Sequence, residues 1–166
     1  MAFVFNADEV FEMAEQIERN GAAFYRSAAK QFPAQQRLLT TIAEQEDAHC
    51  AIFTAFRRQL ANREKEAAVH DPDQEGSAYL RAMADHRVVD VNRRPKDVLK
   101  GKESFADILG IALGMEKDSI VFYVGMQDMV SPSLGRDKLD LIIKEEQKHI
   151  VFLNRLLDEQ RPPSGG

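Results

Sequence analysis

Cysteine occurs once in the 166 residues, at Cys50, so no disulfide can form within the chain. A reducing compartment is the default for such a chain, and a cytoplasmic location is expected. No run of eighteen apolar residues exists, so no segment is expected to span a bilayer. The opening stretch, Met1 to Asn6, has no basic region before its apolar part and no cleavage pattern, and a signal peptide is not expected. Positive charge is in short supply: 22 Lys and Arg stand against 27 Asp and Glu, a net charge of −5. That balance argues against nucleic-acid and anionic-membrane partners, and the run Arg93, Arg94, Lys96 is too small to reverse it.

What remains is an ordinary globular mixture, 44% apolar and 30% charged, long enough for one domain with a sizeable core. The patterning predicts an all-α chain. Helix 1 is expected from Ala7 to about Gln31, opened by an Asn6–Glu9 capping box and stopped at Phe32-Pro33. Helix 2 is expected from Ala34 to Ala67, and helix 3 from Glu103 to Met129. Helix 4 is expected from Pro132 to Glu159, with Ser131 as its cap. Between helices 2 and 3 the periodicity weakens. That stretch holds turns at His70 to Asp73 and Arg93 to Asp97, and a short helix from Ser77 to His86. Its length suits a crossover running along a bundle. Residues 1–160 are thus read as one four-helix bundle and 161–166 as a disordered tail.

Each long helix carries one apolar seam with steps of three and four. Helix 2 reads Leu39, Ile42, Glu46, His49, Phe53, Phe56, Leu60; helix 4 reads Leu139, Ile142, Glu146, His149, Leu153, Leu156. Helix 1 reads Phe11, Ala14, Glu18, Gly21, Tyr25, Ala28, and helix 3 reads Leu109, Ala112, Glu116, Ser119, Tyr123, Met126. The chain therefore presents a glutamate and then Glu-x-x-His twice over. Glutamates on an apolar seam are costly unless paired or metallated. Counted from turns at Pro33 and Pro132, Glu18 falls level with Glu46 and His49, and Glu116 with Glu146 and His149. With the hairpins antiparallel, all six meet at mid-bundle, where inward carboxylates and imidazoles hold two metals. Setting these four glutamates aside takes the net charge from −5 to about −1. The donor set suits iron or manganese and disfavours copper or structural zinc.

The arrangement resembles the ferritin-like di-iron carboxylate proteins, and most closely the rubrerythrin family. The likeness rests on Glu18 to Tyr25, Ile42 to His49, Glu116 to Tyr123 and Ile143 to His149. It implies a ferritin-like antiparallel bundle with Glu46 and Glu146 bridging two iron ions. Glu18, Glu116, His49 and His149 would be terminal ligands, and manganese or zinc could substitute for iron. It further implies an oxidoreductase that reduces peroxide, or uses oxygen while oxidising iron. Well-known members also carry a rubredoxin-like domain with paired Cys-x-x-Cys motifs. With one cysteine here, electrons are expected from a separate donor protein. Such members also bring a further glutamate from helix 3, where this chain has Ser119. Ferroxidase or iron-handling activity, a manganese catalase and a non-catalytic metal-binding bundle are the other readings.

Gly21 and Ser119 are read either as close packing or as room for oxygen or peroxide. Tyr25 and Tyr123 are read as core aromatics, as hydrogen-bond donors to ligand carboxylates or as residues that pass electrons. Phe24, Phe122, Met115 and Met126 are read as packing. Cys50 is expected off the seam, as a small apolar or interface residue, and His70 and His86 as surface residues. Further apolar positions, Val10, Ile17, Phe24, Ile108, Met115 and Phe122, leave a second face, part of which the crossover would cover and the rest a homodimer.

Overall fold

A computed structural model describes residues 7–60, 78–79, 95–127, 130 and 132–160. Four long helices dominate: α1 (Ala7–Gln31), α2 (Gln36–Gln59), α3 (Phe105–Met126) and α4 (Arg136–Glu159). No strand is present among the described residues. The fold is the expected all-α four-helix bundle.

The helix boundaries follow local chemistry. Phe32 leaves the helical region (φ −123°, ψ 77°) because Pro33 follows it, and one 3₁₀ turn, Pro33–Gln35, leads into α2. Helix α2 stops at Gln59, short of the expected Ala67, where Leu60 turns extended at ψ 123°. Gln59 lies level with the start of α1, where Arg57 donates to both carboxylate oxygens of Asp8 at 2.9 Å. Helix α3 starts at Phe105, not Glu103, because Ser104 and Asp107 close a capping box that pattern reading overlooked. It ends at Met126, ahead of the expected Met129.

Helix α4 begins at Arg136 and not at Pro132. Pro132–Leu134 form a separate 3₁₀ turn, and Gly135 at φ 110° resets the direction of the chain. A Cβ at position 135 would meet Cε1 of the buried Phe56 at 2.5 Å. Gly135→Ala is therefore expected to destabilise the protein by about 3 kcal/mol, from backbone strain and displacement of the ring. Thermal unfolding should show a midpoint lowered by roughly 6–12 °C; an unchanged midpoint would show that the turn is soft. Around Pro95 the expected turn is a single helical turn, Pro95–Val98. The Asn6 and Ser131 caps, most of the 77–86 helix, His70, His86 and the 161–166 tail lie outside the described residues.

The core is built in two layers with a gap at mid-bundle. One layer holds Phe11, Phe53, Phe56, Met126 and Leu139; the other holds Phe24, Leu39, Ile42, Leu109 and Leu153. The first gathers the start of α1, the end of α2, the end of α3 and the start of α4; the second gathers the opposite ends. The two hairpins therefore run antiparallel, and the chain leaves α2 at one end and enters α3 at the other. Gln31 donates to the Glu103 carbonyl at 3.1 Å, tying the end of α1 to the start of α3. From the connection, Tyr79 lies over Gly125 and donates to the Val121 carbonyl at 2.8 Å.

Val10, Ile17, Phe24, Ile108 and Phe122 are buried within this single chain, so they do not form the open second face anticipated for them. Among the described residues, the large exposed apolar side chains are Tyr79, Val121, Val124, Leu141 and Val151. Among the described residues, no helix is long and apolar enough to cross a membrane.

Candidate metal centre

The gap between the layers is filled by polar groups. Glu18 on α1, Glu46 and His49 on α2, Glu116 on α3, and Glu146 and His149 on α4 converge there, none more than 6% exposed. Helical spacing sets this up. Glu46 and His49, three apart on one helix, share a face, as do Glu146 and His149. The antiparallel hairpins bring the two faces together.

The six groups form two overlapping sets of four. Glu18, Glu46, His49 and Glu146 make one; Glu46, Glu116, Glu146 and His149 make the other. Within each set the donor atoms lie within 4.8 Å of one another. Glu46 and Glu146 belong to both sets; each remaining residue belongs to one. His49 Nδ1 stands 2.8 Å from Glu146 and 3.6 Å from Glu18. His149 Nδ1 stands 3.1 Å from Glu146, 3.4 Å from Glu46 and 3.6 Å from Glu116.

A cation fits these donors. Among the described residues, four buried side-chain polar atoms make no well-aligned hydrogen bond: Glu18 Oε2, Glu46 Oε1, His49 Nδ1 and Glu146 Oε1, the last two facing each other at 2.8 Å. They come from the four members of one set, one atom each. Buried orphan donors and acceptors are costly, and here their lone pairs share one volume. A divalent ion there would satisfy all four at once.

The charge balance without metal shows the same tension. Burial, followed by the neighbouring Glu146, Glu18 and Glu116, raises the Glu46 carboxyl well above the usual range. Burial likewise raises Glu18, and pushes Glu116 up to about 8. Glu146 goes the other way: burial opposes its charge, but the two imidazoles beside it prevail and hold it below the usual range. Burial disfavours charge on the imidazoles too. Contact with Glu146 and Glu18 nevertheless lifts His49 to about 11, and contact with Glu116 and Glu146 lifts His149 to about 9. Protons hold the site together where cations are absent.

An outer ring fixes these groups. Tyr25 on α1 donates to Glu116 on α3, and Tyr123 on α3 donates to Glu18 on α1, so each hairpin steadies the other's carboxylate. Burial drives both phenols well above their ordinary pKa, which keeps their protons available for these bonds. The tyrosines are buried in the core and hydrogen-bonded to the carboxylates.

Each imidazole also reaches outward. His49 Nε2 meets Glu145 Oε2 at 2.5 Å, and His149 Nε2 meets Gln45 Oε1 at 3.0 Å. Sequence reasoning passed over Gln45 and Glu145, although they stand 100 residues apart, as Glu46 and Glu146 do. It also missed the buried Glu15, which pairs with Arg19 and lies 3.7 Å from Arg57. Cys50 lies off the seam, as expected, with its thiol 3.6 Å from the Glu15 carbonyl. Phe24, Phe122 and Met126 are buried packing residues, and Met115 packs at the edge of the core.

The small residue at position 21 has a local cause. A Cβ there would lie 2.7 Å from Glu46 Oε2, so the carboxylate occupies the space that glycine leaves. Ser119 turns its hydroxyl back to the Met115 carbonyl at 2.9 Å. Gly21→Ala should therefore displace Glu46 and weaken divalent-cation binding by roughly tenfold, about 1.4 kcal/mol. The metal-free protein should be no less stable, since alanine favours the helix by about 0.5–1 kcal/mol over glycine. Competition with a chelating dye, beside thermal unfolding, separates the two effects. Unaltered affinity would mean that the carboxylate has other room.

Fold and site together define a four-helix bundle with a carboxylate-rich centre able to take two metal ions. The sequence profile of the rubrerythrin family matches residues 9–157, and the chain belongs to that family. Among solved structures, it is similar to a ferritin-like diiron-carboxylate protein from Thermotoga maritima, with a TM-score of 0.71 and 21% identity. That likeness covers 97% of this chain and all of the other. No functionally curated protein matches the chain significantly.

Proposed function

We propose that this protein is a di-iron oxidoreductase that reduces hydrogen peroxide, or oxygen, with electrons from a separate donor protein. The observation that carries the reading is the pair of four-residue sets sharing Glu46 and Glu146. Glu46 and Glu146 would bridge two ions. Glu18 with His49, and Glu116 with His149, would complete the two ends. Bound there, two ferrous ions would supply one electron each, the two electrons that, with two protons, convert hydrogen peroxide to two waters.

The rest is done by the chain. The apolar layers around Phe53 and Leu109 exclude bulk water from the carboxylates. Tyr25 and Tyr123 hold Glu116 and Glu18 in place through bonds from the opposite hairpin. Glu145 and Gln45 accept from the outer nitrogens of the imidazoles and turn each Nδ1 inward.

Iron oxidation and hand-on is the second reading. It is supported by Ser119, which stands where some relatives bring a further glutamate and whose hydroxyl is bonded to its own helix. One experiment separates the two. Protein loaded anaerobically with two ferrous ions is mixed with peroxide or with oxygen, and oxidation is followed by rapid absorbance. The peroxidase reading expects one peroxide consumed per two ferrous ions, faster oxidation by peroxide than by oxygen, and ferric iron retained. Faster oxidation by oxygen with release of ferric iron would replace it with the ferroxidase reading.

A further inference from the structure

The six inward groups are matched in kind across the two hairpins: a glutamate and a histidine at each end, and two shared glutamates between. The match breaks one bond further out. His49 Nε2 faces the carboxylate of Glu145, whereas His149 Nε2 faces the amide oxygen of Gln45. Both partners are acceptors, so both imidazoles carry their hydrogen on Nε2 and offer Nδ1 to the centre. The partners differ in charge. A carboxylate draws on the N–H more strongly than an amide does, and this makes the opposite ring nitrogen the better donor to a cation. Glu145 is half exposed, with 50% of its side chain accessible.

We propose that Glu145 is a positioning residue that makes the two metal positions unequal. The end formed by Glu18 and His49 then binds a divalent cation more tightly and fills first, and the end formed by Glu116 and His149 fills second. The inference rests on the dinuclear centre proposed above and goes beyond it: the internal repeat builds a symmetric ligand set, and one outer residue breaks the symmetry.

The test uses cobalt(II) as the probe, at one pH and without oxygen, with binding read from visible absorbance and chelator competition. His149→Ala leaves the Glu145-supported end complete, and His49→Ala leaves the Gln45-supported end complete. The His149→Ala protein is expected to bind its one ion roughly tenfold more tightly than the His49→Ala protein. Adding Glu145→Gln should erase that advantage in the first background and do nothing in the second. Exchanging the partners, by Glu145→Gln with Gln45→Glu, should move the advantage to the other end, which a merely structural role could not do.

Should either histidine variant fail to fold, the exchange is read in the otherwise intact protein. Cobalt is added to one equivalent, and the spectrum of the first ion bound should change from that of one end to that of the other. Equal affinities at the two ends, or an unchanged first-ion spectrum after the exchange, would overturn the inference while leaving two bound ions per chain. Failure of the wild-type protein to bind any ion tightly would overturn the centre itself, and the inference with it.

Discussion

Replacing Glu46 and Glu146 together by alanine is expected to abolish tight ferrous-ion binding, from two ions per chain to none. Both residues serve both four-residue sets, so their loss opens both positions at once. The single variants should sort themselves by membership. Glu18→Ala should remove one ion and keep the other, because Glu18 belongs to one set; Glu146→Ala should cost both. Stability gives a second readout. Two sites, each at a hundredfold excess over its dissociation constant, would add about 5 kcal/mol to the wild-type protein. For a chain of this size that is a rise in unfolding midpoint of roughly 10–20 °C. The double variant should show no metal-dependent shift. Two ions still bound to it in an anaerobic titration would remove the seam glutamates from the site.

Acidification should release the metals over a narrow range. In the metal-free protein Glu116 titrates at about 8, His149 at about 9 and His49 at about 11, so all three carry a proton at neutral pH. A cation needs the deprotonated forms, so loading the centre expels protons. With several protons released as two ions bind, the product of the two association constants should rise steeply, by well over tenfold, between pH 6 and 7.

Without metal the sign reverses. Folded pKa values raised above the unfolded ones mean that these groups favour the folded state at low pH. That contribution fades as pH climbs through the folded values. Glu146, held below its ordinary value, acts only in acid and does not offset this at neutrality. From pH 6.5 to 9 the metal-free protein should therefore lose stability while metal affinity increases. Chelator competition and thermal unfolding across that range check both trends. A product of association constants that varied less than tenfold per pH unit would show that binding the ions does not displace these protons.

The sequence by itself determined the four helices, the antiparallel hairpins and the six inward groups. It could do so because each is a periodic signal: a charged residue on an otherwise apolar stripe stands out without any knowledge of its neighbours. The duplication helped, since Glu46-x-x-His49 and Glu146-x-x-His149 vouch for each other.

The tertiary structure alone decided how those groups are shared and what surrounds them. Which glutamates serve both sets depends on how two hairpins interlock, and no single helix encodes that. The crossed bonds from Tyr25 to Glu116 and from Tyr123 to Glu18 join residues 91 and 105 positions apart. Helix α2 ends at Gln59, where Leu60 turns extended, although local propensity would have carried it further. Gly21 reads as a spacer in the sequence, and only the folded bundle shows the Glu46 carboxylate lying against it. The unequal partners of the two histidines are visible only across the hairpin interface. Burial and convergence are properties of the packed bundle, and they turn six ordinary side chains into a buried cluster of carboxylates and imidazoles suited to metal ions.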